Sequence, residues 1–61
     1  MQHKIERTRE QHLDLFRDLH DDNPDYTVGR YSFEHDVSQK DHDWIARRYA
    51  DIRANHAASL H

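Results

Sequence analysis

Hydrophobic residues recur at helical spacing in two segments of the chain and alternate with polar residues in the short stretch between them. In the first segment the apolar side chains are concentrated in its second half, where Leu13, Leu15, Phe16 and Leu19 form a broad apolar side. In the last segment Trp44, Ile45, Tyr49 and Ile52 follow the period of an α-helix. The pattern therefore predicts one amphipathic helix over residues 2–20 and another over residues 39–59.

Polar residues mark where these two helices stop and start. Asp21, Asp22, Asn23 and Pro24 follow one another directly, and such a run ends a helix. Ser38 occupies an N-cap position for the last helix, with an acidic residue three positions later as in a capping box. The chain contains one glycine and one proline, which is typical of a short helical protein, and no repeat or linker divides it. We expect a single domain over residues 1–61.

Two structures compete for the middle of the chain. A short helix over residues 27–35, capped by Thr27, would complete a small all-α domain of three helices. Alternatively, residues 26–33 would form a β-hairpin with a turn at Gly29, which places Tyr26, Val28, Tyr31 and Phe33 on one face. An isolated two-stranded ribbon is only marginally stable, so the hairpin would need both helices packed on its apolar face.

The large apolar residues predict a core shared by all three segments. We expect the last helix to pack on the first, with the middle segment closing the third side. The predicted core residues are Leu13, Phe16, Leu19, Phe33, Val37, Trp44, Ile45, Tyr49 and Ile52.

Length and composition exclude several classes of function. A chain of 61 residues with 34% apolar residues has a thin core and little room for a small-molecule pocket. It has no cysteine, no glycine-rich phosphate loop and no serine in a nucleophile context, so we expect neither an enzyme nor a cofactor. No apolar run reaches the length of a membrane span, and no signal peptide precedes the first helix. These absences predict a cytoplasmic protein without a membrane contact.

Seven histidines raise the question of a metal site. The segments Glu34–Asp36 and Asp41–Asp43 each place one imidazole between two carboxylates, and those groups are metal ligands. No helix carries a histidine pair at i and i+4, however, and most of the histidines border apolar helix faces. We interpret them as solvated or interfacial residues and predict no metal ligand.

The segment from Thr27 to Tyr49 resembles the helix-turn-helix of small bacterial and phage regulators. The matching residues are Ser32 at the small position, Glu34 at an acidic one, Val37 and Ser38 at the turn, and Ile45, Arg48 and Tyr49 along the recognition helix. Asp36 stands where that family usually has glycine, and His35 and His42 stand at positions that are usually apolar. The resemblance implies a helical middle segment and, with it, contact with DNA.

Charge opposes the DNA interpretation and favours a protein partner. Residues 18–43 contain eight acidic and two basic residues, a sign that repels phosphates. We therefore expect a small non-enzymatic regulator or inhibitor, of the kind that phages and mobile elements encode, whose acidic surface binds a basic surface on another protein. The predicted partner-binding residues are Asp14, Asp18, Asp21, Asp22, Asp25, Glu34 and Asp36.

The alternative function is that of a transcriptional regulator that binds DNA through the last helix. In that case Lys40, Arg47 and Arg48 would contact the DNA backbone, and Gln39 or Asp43 would contact base edges.

A homodimer is also predicted, from the charges of the first helix. Basic residues in its first half and acidic residues in its second half oppose the helix dipole, and packing the last helix antiparallel to it would not relieve this. A two-fold antiparallel pairing of the first helix with its copy would bring opposite charges together. The predicted interface residues are Lys4, Ile5, Arg7, Arg9, Leu15 and Asp18.

Overall fold

The computed structural model describes residues 6–59, and this part of the chain folds as three α-helices without a strand. They are α1 (Arg9–Asp22), α2 (Val28–Glu34) and α3 (Gln39–Ser59). The predicted all-α, three-helix domain is confirmed, and α3 has the predicted bounds. The alternative hairpin over residues 26–33 is wrong, because the Thr27 side chain caps α2 by accepting a hydrogen bond from the Arg30 N–H at 3.1 Å. No helix within residues 6–59 has the length and apolar character needed to cross a membrane.

Helix α1 begins at Arg9, later than the predicted start at residue 2. Thr8 and Gln11 form a reciprocal capping box: the Gln11 N–H donates to the Thr8 hydroxyl at 3.1 Å, and the Thr8 N–H donates to the Gln11 side-chain oxygen at 2.8 Å. A residue whose side chain satisfies the first free N–H groups of a helix fixes where that helix starts. Residues 6–8 are therefore not helical, and residues 2–5 of the predicted helix lie outside the described part of the chain.

The two turns are held by backbone hydrogen bonds. After α1, the Asn23 N–H donates to the Leu19 carbonyl at 3.0 Å, and the Tyr26 N–H then donates to the Asn23 carbonyl at 2.8 Å. After α2, the Val37 N–H donates to the Ser32 carbonyl at 2.9 Å, which is the long hydrogen bond of a Schellman C-cap.

Asp36 has the left-handed backbone conformation that this cap requires, with φ of 54°. Ser38 caps α3 as predicted, because its hydroxyl accepts a hydrogen bond from the Asp41 N–H at 3.2 Å. The turn of residues 35–38 therefore ends one helix and starts the next within four residues.

Helices α1 and α3 pack side by side and run in the same direction. Near the start of both helices Arg9 contacts Asp41 and Trp44, and one to two turns further along Phe16 packs edge-on against Tyr49, with ring centroids 5.3 Å apart. The antiparallel arrangement considered from the sequence is therefore wrong. The acidic end of α1 lies beside basic residues of α3, which relieves the unfavourable charges of α1 within one chain.

Five hydrophobic residues form the buried core. They are Leu13, Phe16, Tyr26, Tyr31 and Ile45, with Leu15, Leu19, Val28, Val37, Trp44, Tyr49 and Ile52 partly buried around them. Of the predicted core residues, Leu13, Phe16 and Ile45 are buried and the others are partly buried, except Phe33, which is 89% exposed. Tyr26 and Tyr31 are also buried and were not predicted for the core. Residues two apart on a helix point to nearly opposite sides, so α2 buries Tyr31 completely and turns Phe33 outward.

Candidate functional site

The predicted partner-binding acids lie on α1, on the turn that follows it, on α2 and on the turn after α2. Asp18, Asp22 and Asp25 are exposed at the surface of α1 and of the turn that follows it. Asp14 and Asp21 line a groove that also contains arginines. Glu34 and Asp36 belong to α2 and to the turn after it, and both have interaction partners within the chain. The acidic belt expected from the linear sequence is thus divided among separate parts of the molecule.

Three of the residues predicted to contact DNA lie together at the start of α3. Lys40, Asp43 and Arg47 surround Trp44 on the outer side of this helix. Arg9 of α1 joins them from the neighbouring helix, which the sequence did not predict. We call Arg9, Lys40 and Arg47 the α3 cationic face.

Arg9 connects the two helices at this face. Its guanidinium lies over the Trp44 ring, 5.4 Å from the centroid, and its Nη2 is 3.5 Å from Oδ1 of Asp41. Both partners of the ion pair are about one third exposed, so the pair contributes at most about 1 kcal/mol and mainly sets the position of the guanidinium. The contact also neutralises one of the acids in the segment that was expected to repel phosphates.

Gln39 and Asp43 form a second pair on the exposed side of α3. The Gln39 amide nitrogen donates to the Asp43 carboxylate at 2.9 Å, one helical turn apart. The two side chains predicted to contact base edges are therefore hydrogen-bonded to each other.

Arg48 is separate from the other predicted DNA contacts. It lies in a groove along the seam between α1 and α3, which we call the α1–α3 groove. Asp14, Arg17 and Asp21 line it from α1, and Arg48, Ile52 and Arg53 line it from α3. The prediction that Arg48 acts with Lys40 and Arg47 is thus not supported by their positions.

A buried tyrosine lies between two imidazole rings where the helices meet. The hydroxyl of Tyr31 is 2.7 Å from Nδ1 of His12, and the His35 ring stacks on the Tyr31 ring with centroids 4.2 Å apart. Burial raises the pKa of the Tyr31 hydroxyl. The pKa of His12 is lowered, first by burial and then by the nearby Arg7 and His35, against an opposing effect of Asp41.

Two further histidines hold elements of the fold together. His20 Nδ1 is 2.8 Å from the Tyr26 carbonyl oxygen, which can only accept, so this nitrogen carries the proton. His42 Nδ1 is 2.8 Å from the Ser32 hydroxyl and connects α3 to α2. Among residues 6–59 no group of three or more histidine, cysteine, aspartate or glutamate side chains is arranged to hold a metal ion.

Glu34 is paired instead of free at the surface. The Tyr26 hydroxyl donates to Oε1 of Glu34 at 2.6 Å, and Arg30 Nε donates to Oε2 at 3.3 Å. These hydrogen bonds lower the pKa of the Glu34 carboxyl. Burial and the hydrogen bond to Glu34 raise the pKa of Tyr26 to about 12.

Phe33 is the exposed large hydrophobic residue among the described side chains. A shallow hollow beside it is lined by Gly29, Asp36, Val37 and Gln39, which places an apolar ring next to an acidic side chain. This surface was not predicted, because Phe33 was assigned to the core from the sequence.

Four of the residues predicted for a dimer interface, Arg7, Arg9, Leu15 and Asp18, lie in the described part of the chain. Lys4 and Ile5 lie outside the described residues, Arg7 precedes α1, and Arg9 is engaged with Asp41 and Trp44. Leu15 packs against the core and Asp18 is exposed. The premise of a single helix from residue 2, with uncompensated charges at both ends, is therefore wrong.

The sequence contained a signal for one of the two features that were missed. Thr8 and Gln11 have the spacing of a capping box, which would have placed the start of α1 and brought Arg9 into its first turn. No signal in the sequence indicated that Arg9 would lie beside Lys40 and Arg47, since this depends on the relative direction of α1 and α3.

In comparisons with known proteins, no family model, no characterised protein and no solved structure matches the chain.

Proposed function

We propose that the chain is a small DNA-binding regulator of the helix-turn-helix type, with α3 as its recognition helix. The observation that carries this proposal is the backbone of the turn between α2 and α3. Asp36 has a φ of 54° at the position where helix-turn-helix regulators usually have glycine, a residue that adopts positive φ without steric cost.

Side-chain packing around this turn supports the same proposal. Ser32, at the position of a small residue, is buried against α3 through its contact with His42. Ile45, at the position of the apolar anchor of the recognition helix, is 0% exposed. A small residue in α2, the first helix of the motif, and an apolar anchor in α3, its second helix, allow these two helices to approach closely.

The distribution of charge in three dimensions removes part of the objection to DNA. Asp41 is paired with Arg9, which lies outside residues 18–43, so one of the eight acids of the negative segment has a cationic partner from α1. Glu34 is paired with Arg30 of the same segment. The α3 cationic face has Lys40 and Arg47 on the exposed side of the proposed recognition helix, with Arg9 beside them on α1. Phosphate contacts from Lys and Arg supply most of the affinity of such proteins, and the Gln39–Asp43 pair is then positioned to contact base edges.

Selection from a randomised DNA duplex library at about 50 mM salt, where phosphate contacts are strongest, tests the proposal directly. We expect enrichment of a short motif, followed by measurable binding of the enriched duplex by fluorescence anisotropy. Lys40→Gln and Arg47→Gln should each weaken binding to all sequences and reduce the slope of log affinity against log salt by about 1.

Arg17→Gln provides the control for net charge, since it removes one positive charge from an exposed residue on α1 that lines the α1–α3 groove and lies away from the α3 cationic face. It should leave the salt slope unchanged. All variants and the parent are compared at a protein concentration at which sedimentation gives them the same mass. Absence of any enriched sequence, or equal weakening by all three substitutions, would reject the proposed DNA-binding role.

A second candidate function is the one favoured by sequence charge, a regulator or inhibitor that binds a basic surface on another protein. Phe33 favours it, because an exposed aromatic ring beside Asp36 combines an apolar anchor with an acidic rim. Phe33→Ser should then abolish capture of the partner from a bacterial lysate while leaving DNA binding intact.

Capture at about 50 and 500 mM salt distinguishes the electrostatic part of such binding. A protein retained by the parent chain at low salt and lost with Phe33→Ser would support this function. Equal capture by the parent and the variant would reject Phe33 as its anchor.

A further inference from the structure

The two walls of the α1–α3 groove carry opposite charges. From α1, Glu10, Asp14 and Asp21 line the groove, and Arg17 is the one base among them. From α3, the charged lining residues are Arg48 and Arg53, accompanied by His56. One wall is therefore mainly acidic and the other mainly basic along the length of the seam.

Apolar side chains lie between the charged walls. Trp44, Tyr49 and Ile52 are partly buried and line the groove from α3, and Leu13 lies beneath it as part of the core. A surface of this kind fits a partner that supplies apolar side chains in its middle and, at its edges, charges in the reverse order.

We propose that a second copy of this chain occupies the α1–α3 groove, with its α1 on this chain's α3. A two-fold axis parallel to the two helices produces this arrangement, because it exchanges the left and right walls when two grooves face each other. The acidic wall of each copy then meets the basic wall of the other, twice by symmetry. A two-fold axis perpendicular to the helices would place α1 on α1 and α3 on α3, and like charges would oppose each other.

The level of each charge along the groove agrees with this pairing. Asp14 and Arg48 line the same hollow near its middle, and Asp21 and Arg53 line the same hollow further along. Rotation about an axis parallel to the helices does not change the position of a residue along the helix axis. Asp14 of one copy is thus opposite Arg48 of the second copy, and Asp21 is opposite Arg53.

Burial of the apolar floor supplies the affinity of this dimer, and the charges set its orientation. Exposed ion pairs contribute about 0 to 1 kcal/mol each, so they select between the two possible axes while Trp44 and Ile52 lose solvent contact. The charge contacts of this pairing use Arg48 and Arg53, not the α3 cationic face, and both surfaces border Trp44. The pairing does not rest on the proposed DNA binding.

Charge exchange between two variants tests the arrangement. Asp14→Lys places a lysine opposite Arg48, and Arg48→Glu places a glutamate opposite Asp14, so each variant alone repels its own copy. In an equimolar mixture both contacts are attractive, since the new lysine meets the new glutamate and the unchanged Asp14 meets the unchanged Arg48. We expect sedimentation equilibrium at about 50 mM salt to give twice 7.4 kDa for the parent, 7.4 kDa for each variant, and twice 7.4 kDa for the mixture.

Circular dichroism of each variant verifies that both remain helical. If either variant unfolds, Asp21→Lys and Arg53→Glu provide the same mixing test at the second level of the groove. The proposal is overturned by a parent that stays at 7.4 kDa up to about 100 µM, by variants that associate as the parent does, or by a mixture that remains monomeric. No DNA is present in these samples, so this outcome and that of the duplex selection are separate.

Discussion

Tyr31 shows how one residue can organise a domain of this size. It is 0% exposed, its hydroxyl contacts His12 of α1, and its ring stacks on His35 at the end of α2. The predicted core contained Phe33 and not Tyr31, although both are aromatic and alternate with polar residues in the sequence. Only the helical backbone separates them, since it directs one into the core and the other into solvent.

Acid should weaken the contact between His12 and Tyr31. The pKa of His12 is lowered by folding, so the unfolded chain takes up a proton at a higher pH than the folded chain does. The contribution of His12 to stability is complete above the unfolded pKa of about 6.5 and is lost progressively as the pH falls toward the folded pKa. We expect the urea midpoint of the parent chain to decrease between pH 8 and pH 5.

His12→Gln isolates this effect from the other histidines. The amide of glutamine keeps a hydrogen-bonding group near the Tyr31 hydroxyl but does not titrate. The variant should therefore show a smaller decrease in urea midpoint over the same pH range. If the two midpoints decrease in parallel, His12 is not a source of the pH dependence.

At the scale of the elements, caps determined which helix boundaries could be predicted. The start of α3 was predicted correctly from Ser38, and its hydroxyl does accept the Asp41 N–H. The start of α1 was misplaced because apolar periodicity is weak at the beginning of the helix, where Thr8 and Gln11 decide the boundary through hydrogen bonds. The end of α1 was predicted two residues too early, because Asp21 and Asp22 still belong to the helix, which is capped by Asn23 just before Pro24.

The turn between α2 and α3 should respond strongly to the shape of residue 36. A left-handed conformation costs a residue with a Cβ roughly 1–2 kcal/mol, and a β-branched residue is the least suited to it. We expect Asp36→Val to be less stable to urea than Asp36→Gly by about 1–2 kcal/mol. Both substitutions remove the same carboxylate interactions, so their difference reports the backbone alone.

A comparison of the same two residue types, glycine and valine, at an ordinary helical position serves as the control. At Gly29, which has no positive φ, valine replaces glycine in a helix and should not destabilise the fold by strain. A Cβ there would lie 3.9 Å from the Thr27 hydroxyl, which is ordinary contact. Equal stabilities for Asp36→Val and Asp36→Gly would contradict the left-handed turn.

At the scale of the whole molecule, the residue types in the core were largely predictable but their arrangement was not. Periodicity identified Leu13, Phe16 and Ile45 because each lies on the apolar side of a long helix. It could not indicate that α1 and α3 run in the same direction, since this depends on how the short α2 returns the chain. The charges of α1 were assigned to a pairing of this helix with its copy, whereas within the described chain Asp21 and Arg53 of α3 line the same hollow.

The thin core leads to a contrast between two large hydrophobic residues. Ile45 is 0% exposed, and its replacement by alanine removes buried methyl groups and leaves a cavity, at a cost of about 2–5 kcal/mol. Small domains have total stabilities of similar size, so Ile45→Ala should be largely unfolded at 25 °C. Phe33→Ala, at 89% exposure, should change the free energy of unfolding by no more than about 0.5 kcal/mol. Urea titrations followed by circular dichroism and by Trp44 fluorescence measure both, and a Phe33→Ala variant as unstable as Ile45→Ala would show that Phe33 is buried in solution, by the core or by a second copy.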